Sequence, residues 1–232
     1  MLIDHTNGRV LDLLETREKA AVVAWLAARR ASGLLGQVEE VTCDMWAAYA
    51  EAAREVFGGG VRVTVDRFHV MKNFQDRLGD ARREIQRSLS KEQAKELKGS
   101  RWLWVTNPEN LEPDQRRELA RLQRRFPGLA RLSRHREALR QIFEDHRVRR
   151  PETAVAWLRA WCERGRRMGL AALEPFFRTL ENWMAEVANY FVARSSNGPT
   201  EGFNRGLRGI LWRACGMTNF AHFRLRVLHA FG

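Results

Sequence analysis

Apolar positions in the first third of the chain alternate with polar ones in short runs, and from Val70 onward they recur at helical spacing. Asn7-Gly8 is a strong hairpin signal, so Arg9–Leu14 reads as a strand whose partner lies within Met1–His5. Glu18–Ala31 reads as a helix with Ala21, Val22, Trp25 and Leu26 on its inner side, ended by Ser32-Gly33. Val38–Asp44 reads as a short strand ending in an acid, and Met45–Phe57 as an alanine-rich helix stopped by Gly58-Gly59-Gly60. Val61, Val63 and Val65 alternate with Arg62, Thr64 and Asp66, the period of a strand. Strand, helix, strand with short links is a βαβ unit with parallel strands. Each strand delivers an aspartate, Asp44 or Asp66, at its C-terminal end, the edge where ligands collect in open α/β sheets.

From Val70 to Tyr190 the pattern is helical. Val70–Leu89 is basic and amphipathic, and the segments Gly99–Trp104 and Asn107–Pro113 read as breaks. Further helices are predicted at Asp114–Arg125, stopped by Pro127-Gly128, and at Leu129–Glu144, Glu152–Arg166 and Leu173–Phe191. Trp102, Trp104, Trp157, Trp161 and Trp183 are expected to fill this helical core rather than to stack on bases.

Ser195–Pro199 reads as a loop, because Ser, Asn, Gly and Pro all disfavour a continuing helix, and Pro199 suits the first position of a new one. Wound at about 100° per residue, that helix places Glu201, Asn204, Arg205 and Arg208 on one polar arc and Phe203, Leu207, Ile210 and Leu211 on an apolar arc. Gly202, Gly206 and Gly209 form a stripe between them. Glycine costs roughly 1 kcal/mol inside a helix, so the stripe predicts close approach of another backbone or of a ligand. Glu201 has two readings. It can be a first-turn carboxylate facing the helix dipole, or a metal-binding acid beside phosphate-holding arginines.

Length, charge and cysteines narrow the class. The 232 residues suffice for one large domain, or one domain with a sizeable insertion. No apolar run approaches the roughly 18 to 20 residues of a membrane span, and the first residues lack the pattern of a signal peptide, so no membrane role and a cytoplasmic, nucleoid-associated location are expected. Cys43, Cys162 and Cys215 are far apart and are expected to be buried, reduced small hydrophobes rather than zinc ligands or disulfides. A net charge of +12 points to a polyanionic partner, although arginines on solvated faces give the same sum. Charge alone does not separate DNA from RNA or an anionic membrane.

Four ordered blocks carry a resemblance. They are Val41-Thr-Cys-Asp-Met-Trp-Ala-Ala-Tyr, Asp66-Arg-Phe-His-Val, Leu97-Lys-Gly-Ser-Arg-Trp-Leu-Trp with Asn107-Pro-Glu-Asn-Leu, and NGPTEGFN followed by GMTNFAHFRLRVL. Together they resemble the catalytic domain of DDE transposases of the ISL-three insertion-sequence family. The resemblance implies an RNase H-like α/β fold, a mixed five-stranded sheet with helices on both faces and a large all-helical insertion, so that the chain is predominantly helical by residue count. It divides the chain into residues 1–70 of the catalytic core, a helical insertion at 71–190, and C-terminal core helices at 191–232 that carry Glu201.

The implied activity is Mg²⁺-dependent cleavage and strand transfer at the DNA ends of an insertion sequence. Such in-line displacement at phosphorus uses two Mg²⁺ ions about 3.5–4 Å apart, and hard, hydrated Mg²⁺ prefers carboxylate oxygens. Of the family's three metal-binding acids, Asp44 and Glu201 match the second and third. Asp66, His69 and Asn204 are candidates for supporting those ligands from outside. Arg205, Arg208, Lys72, Arg82 and Arg83 are candidates for DNA contact, and the protein is expected to act as a homo-oligomer on DNA.

The departures are specific. The family's first Asp lies on a strand before the residues seen here, and Asp4 matches a turn residue, so the chain reads as N-terminally truncated. On that reading the strands at Arg9–Leu14 and Val38–Asp44 lack a central neighbour. The N-terminal third is then expected to be aggregation-prone or partly molten. Beyond Glu201, where the family usually shows Asn-Asn and several lysines, this chain has Asn204-Arg205 and then Arg208, Gly209 and Trp212. Two alternatives remain open: a non-catalytic DNA-binding remnant that binds DNA or intact transposase, and an unrelated helical RNA-binding protein.

Overall fold

The computed structural model describes every residue except Ser196, Asn197 and Gly216, and the backbone alone at Pro199 and Glu201. The chain forms two compact units, Met1–Asp66 with Arg194–Gly232, and Arg67–Ala193.

In the first unit, β1 (Leu2–Asp4) and β2 (Arg9–Asp12) form an antiparallel hairpin in which Ile3 faces Val10 and Asp4 faces Arg9. Gly8 turns it with φ +63°, a conformation that costs glycine little. The Asp4 carboxylate accepts hydrogen bonds from the Asn7 backbone N–H at 3.1 Å and from Asn7 Nδ2 at 2.6 Å. That carboxylate is therefore used by its own turn. Next come α1 (Lys19–Ala31), β3 (Glu40–Cys43), α2 (Ala47–Phe57) and β4 (Arg62–Val65). Gly58, at φ +82°, ends α2. β3 and β4 are parallel, paired from Glu40 with Arg62 to Cys43 with Val65. The described strands make two separate pairs, and β2 and β3 each keep an edge with no strand partner among the described residues.

Two apolar clusters hold this unit together. Val22, Leu26 and Ala52 close one between α1 and α2. Val10, Leu207, Ile210 and Val227 close the other, joining β2 to the two C-terminal helices. A charged hub lies beside the second. Asp12 is 2% exposed and accepts hydrogen bonds from Trp25 Nε1 at 2.6 Å, Leu13 N–H at 2.7 Å, and Arg224 Nε and Nη2 at 2.5 and 2.8 Å. It ties β2 to α1 and to the C-terminal helix.

The second unit is entirely helical among its described elements: α3 (Arg67–Arg87), α4 (Lys91–Glu96), α5 (Arg101–Val105), α6 (Pro113–Arg125), α7 (Pro127–Glu144), α8 (Pro151–Arg166), α9 (Glu174–Asn182) and α10 (Met184–Ala193), with 3-10 turns at Pro108–Asn110 and Ala171–Leu173. Proline at the first position starts α6, α7 and α8, where its missing N–H is not needed. Two expectations are corrected. The Gly99–Trp104 break contains the short α5, which lets Trp104 reach the core and donate Nε1 to Ser100 Oγ. The single helix predicted from Leu173 is two, because Trp183 leaves helical backbone at φ −108°, ψ 17°, a break that neither Gly nor Pro signals.

The centre of this unit is aromatic: Phe74, His135, Trp161, Phe176 and Phe177. The His135 and Trp161 rings stack at 4.0 Å with 8° between planes, and Trp161 Nε1 donates to the His135 carbonyl. Gly165 leaves the room for this, since a Cβ there would lie 2.4 Å from Phe177 and 2.6 Å from His135 Nε2. Trp104 and Trp161 are buried as expected, but Trp102 and Trp157 are exposed at 70% and 40%. Their helix faces point away from the core, which the amphipathic pattern did not resolve. Cys43 and Cys162 are buried and Cys215 is exposed, the last because it sits in the left-handed turn after the next-to-last helix, at φ 48°.

The chain then returns to the first unit with α11 (Gly198–Arg213) and α12 (Phe220–Phe231). Asn219 Oδ1 caps α12 by accepting from the His222 N–H. Of Gly202, Gly206 and Gly209 on α11, only Gly206 is closely approached, and by a side chain: a Cβ there would meet the Phe231 ring at 2.4 Å. Gly202 and Gly209 face open space, so the expected stripe of close contact is one position long.

Candidate functional site

The register of β3 and β4 builds the centre of the candidate site. Cys43 faces Val65, so the next residues, Asp44 and Asp66, leave neighbouring parallel strands at the same edge. The Asp66 N–H reaches the Cys43 carbonyl at 3.5 Å. Asp66 is 2% exposed and Asp44 is half-buried. Asp44 Oδ1 is buried with no hydrogen-bond partner among the described residues. A buried carboxylate oxygen in that state is costly, and a hard cation is the kind of ligand that satisfies it. The donor set at this edge therefore fits a divalent metal. Among the described residues no three His, Cys, Asp or Glu side chains converge on one point.

The surroundings of Asp44 are built by the start of α2. Trp46 N–H bonds the Asp44 carbonyl at 2.8 Å and Tyr49 N–H bonds the Trp46 carbonyl at 3.0 Å. The Arg17 guanidinium lies 4.5 Å from the Trp46 ring centroid. Burial, and then the negative charge of Asp44, push the Tyr49 phenol upward, with Arg17 opposing. The protonated form of Tyr49 is thereby favoured further.

A second acid, Glu40, organises the chain before α11, and nothing in the local pattern singled it out. Its carboxylate accepts from Arg62 Nε at 3.2 Å, Thr64 Oγ1 at 2.5 Å and Ser195 Oγ at 2.5 Å. His5 Nε2 and Thr200 Oγ1 lie 3.2 Å apart. The segment leading into α11 is thus tethered at the start of β3, and the first turn of the helix at the β1–β2 hairpin. Glu201 lies in that first turn, and its side chain, like Ser196 and Asn197 of the same block, is outside the described residues. Asn204, Arg205 and Arg208 are exposed on α11, with Arg208 Nε bonded to the Asn204 carbonyl.

The helical unit holds the other predicted positions. His69 is half-buried near the start of α3, beside the exposed Phe68. Lys72 is exposed, Arg83 pairs with Asp80, and Arg82 is half-buried with Nε lacking a partner among the described residues. Desolvation, then Arg101 and Arg83, push the Arg82 guanidinium downward. The block from Asp66 to Val70 therefore spans the boundary between the units.

The family described as Transposase, that of the ISL-three DDE transposases, matches residues 1–227. The chain belongs to this family. Among curated members of insertion-sequence transposases, it is 25% identical over 202 residues to the transposase for insertion sequence element IS1001 of Bordetella parapertussis, covering 86% of this chain and 49% of that protein. The chain thus spans about half the length of that transposase. No solved structure matches. No described helix of this family member is long and apolar enough to cross a membrane.

Proposed function

We propose that this transposase-family chain contributes the acidic site of an enzyme that cleaves and rejoins insertion-sequence DNA with divalent metal. The observation that carries the reading is Asp44, a carboxylate with an unpartnered buried oxygen at a parallel-strand end beside Asp66. Residues 1–70 and 191–232 then form an RNase H-like catalytic core, and 71–190 are its helical insertion. Asp44 and Glu201 are the residues that would hold Mg²⁺. When bound, such an ion polarises the phosphate and activates the attacking oxygen.

The chain's own groups do the rest. Asp66 stands beside Asp44 on the neighbouring strand, and the charge of Asp44 favours the protonated form of Tyr49. Asn204 supports the site from outside the ligands, and His69, on α3 of the helical unit, is the candidate for a like role that follows Asp66 in the chain. Arg205 and Arg208, on the face of α11 that begins at position 201, hold phosphates, and Lys72, Arg82 and Arg83 of α3, in the helical unit, are separate DNA contacts. The partner is the DNA of the element's ends, on which the chain acts as a homo-oligomer.

The test is strand transfer by the transposase over its whole length. Asp44→Asn and Glu201→Gln should each lower the rate about a thousandfold or more, as removal of several kcal/mol of transition-state stabilisation requires. DNA affinity should stay within about twofold, since phosphate contacts dominate it. Near-normal strand transfer by Glu201→Gln would leave Glu201 as a helix cap and remove the reading.

A further inference from the structure

Trp212 is 83% exposed, more than any other large apolar side chain described. A single exposed tryptophan needs no explanation by itself. Its alignment does. At about 100° per residue, positions 201, 205, 208 and 212 fall within about 60° of one another on α11. The buried Leu207 and Ile210, with the partly buried Phe203, occupy the opposite face. At about 1.5 Å rise per residue, Arg205, Arg208 and Trp212 stand roughly 6, 10.5 and 16.5 Å along the axis from position 201. Arg205 and Arg208 are exposed and make no ion pair with a described carboxylate. Arg213 adds another exposed guanidinium beside Trp212.

We infer that Trp212 is a stacking platform for an unpaired nucleotide of the DNA, whose flanking phosphates lie on Arg208 and Arg205. This deepens the reading of α11 as a DNA-facing helix and rests on it. Three features of the face select this occupant. A bare indole accepts the π-face of any base, which a paired base inside a duplex does not offer. The guanidiniums preceding it along the same stripe supply the charge that a phosphodiester chain requires. The net charge of +12 opposes the approach of a second copy of this chain to the same arginines. Strand cleavage creates free strand ends, and a platform on the helix that carries position 201 would hold an unpaired end nucleotide about 16.5 Å along the axis from the proposed acid.

The experiment uses the intact chain and two fluorescein-labelled DNAs of one sequence, a single strand and a blunt duplex, titrated by anisotropy at several salt concentrations. Circular dichroism checks that each variant is folded. Trp212→Ala should weaken single-strand binding roughly 5- to 150-fold and duplex binding less than about twofold, with the salt slope unchanged. Trp212→Phe should restore most of the affinity. Arg205→Ala and Arg208→Ala should weaken both DNAs, and each should flatten the slope by about 0.7 on single strands and 0.9 on duplex. If the arginine variants weaken binding but Trp212→Ala affects the two DNAs equally or not at all, the platform is overturned and the DNA-facing helix stands. If none of the three changes binding, both fall. Tighter binding of the matching RNA strand, or a dimer in sedimentation that Trp212→Ala dissociates while DNA affinity is unchanged, overturns the platform in favour of another occupant. Strand transfer by Asp44→Asn and Glu201→Gln is read separately.

Discussion

Among the described residues the α/β unit buries one side-chain polar atom without a hydrogen-bond partner and the helical unit three, Nε of Arg82 and of Arg136 and Nε2 of His135; the first and the last of these four behave differently. Nε2 of His135, in the helical unit, is enclosed by Trp161, Phe74 and Phe177. Desolvation, aided by the nearby Arg164, pushes that imidazole down to about 4, so it stays neutral and simply fills space. In the α/β unit the atom is Oδ1 of Asp44, on a half-buried residue at the end of a strand beside a second aspartate. A neutral ring nitrogen among aromatic rings is a packing compromise that matters only when it gains a proton. A carboxylate oxygen at an open strand end is suited to a cation. The helical unit, which holds His135, should lose stability as pH falls below about 6.5.

The largest effect expected is in the helical core. Trp161 is fully buried and is central to the ring contacts. Trp161→Ala should cost about 3–5 kcal/mol and should raise hydrogen exchange across α3, α7, α8 and α9. Exchange that rises equally in β1–β4 would break the division into two units.

How much of this contrast was legible beforehand depends on range. The hairpin followed from Asn7-Gly8, and the βαβ unit from valine alternation and the Gly58–Gly60 stop, because turns and strand periods are local. The starts of α6, α7 and α8 were marked by proline. The break at Trp183 had no such mark, and Trp102, Trp157 and Cys215 were misplaced because amphipathic spacing does not say how far a packing partner extends. Asp12 shares a strand face with Val10, and its only charged partner among the described residues, Arg224, lies 212 residues away. In the site, the placement of Asp44 and Asp66 at adjacent strand ends was readable from pattern. The role proposed for Glu201 rests on resemblance, since its spacing is also that of a cap. Glu40, whose carboxylate gathers Arg62, Thr64 and Ser195, carried no local signal.

The next effect sharpens the comparison through pH. The folded pKa of His135, about 4, lies below the unfolded value of 6.5, so the folded state prefers the neutral ring. Its stabilising contribution is complete above about pH 6.5 and is lost as pH falls towards 4. The gap corresponds to about 3 kcal/mol at one pKa unit per 1.36 kcal/mol. Denaturant unfolding of the helical unit, followed between pH 7 and 4, should show that loss. His135→Leu should flatten it, and an unchanged slope in that variant would assign the acid sensitivity elsewhere.

The smallest effect is in the α/β unit. Asp12→Asn removes a charged acceptor from Arg224 and should cost about 2 kcal/mol, seen as faster exchange in β2, α1 and α12 with α3–α10 unaffected. Because Arg224 remains partly exposed, it can recover water, which keeps this cost below that of Trp161→Ala. A larger loss than Trp161→Ala gives would reverse the ranking of the two units.

The central claim, that the Asp44 end of the β3–β4 pair receives a divalent metal, is tested most directly by iron-mediated cleavage of the polypeptide. Fe²⁺ with ascorbate and peroxide generates radicals that cut backbone next to the bound ion, and the fragments are mapped by mass spectrometry. The account predicts cuts near Asp44 and Asp66 and in the first turn of α11, suppressed by excess Mg²⁺ and absent in Asp44→Asn. Cuts that persist in Asp44→Asn, or that map away from these strand ends, would contradict it.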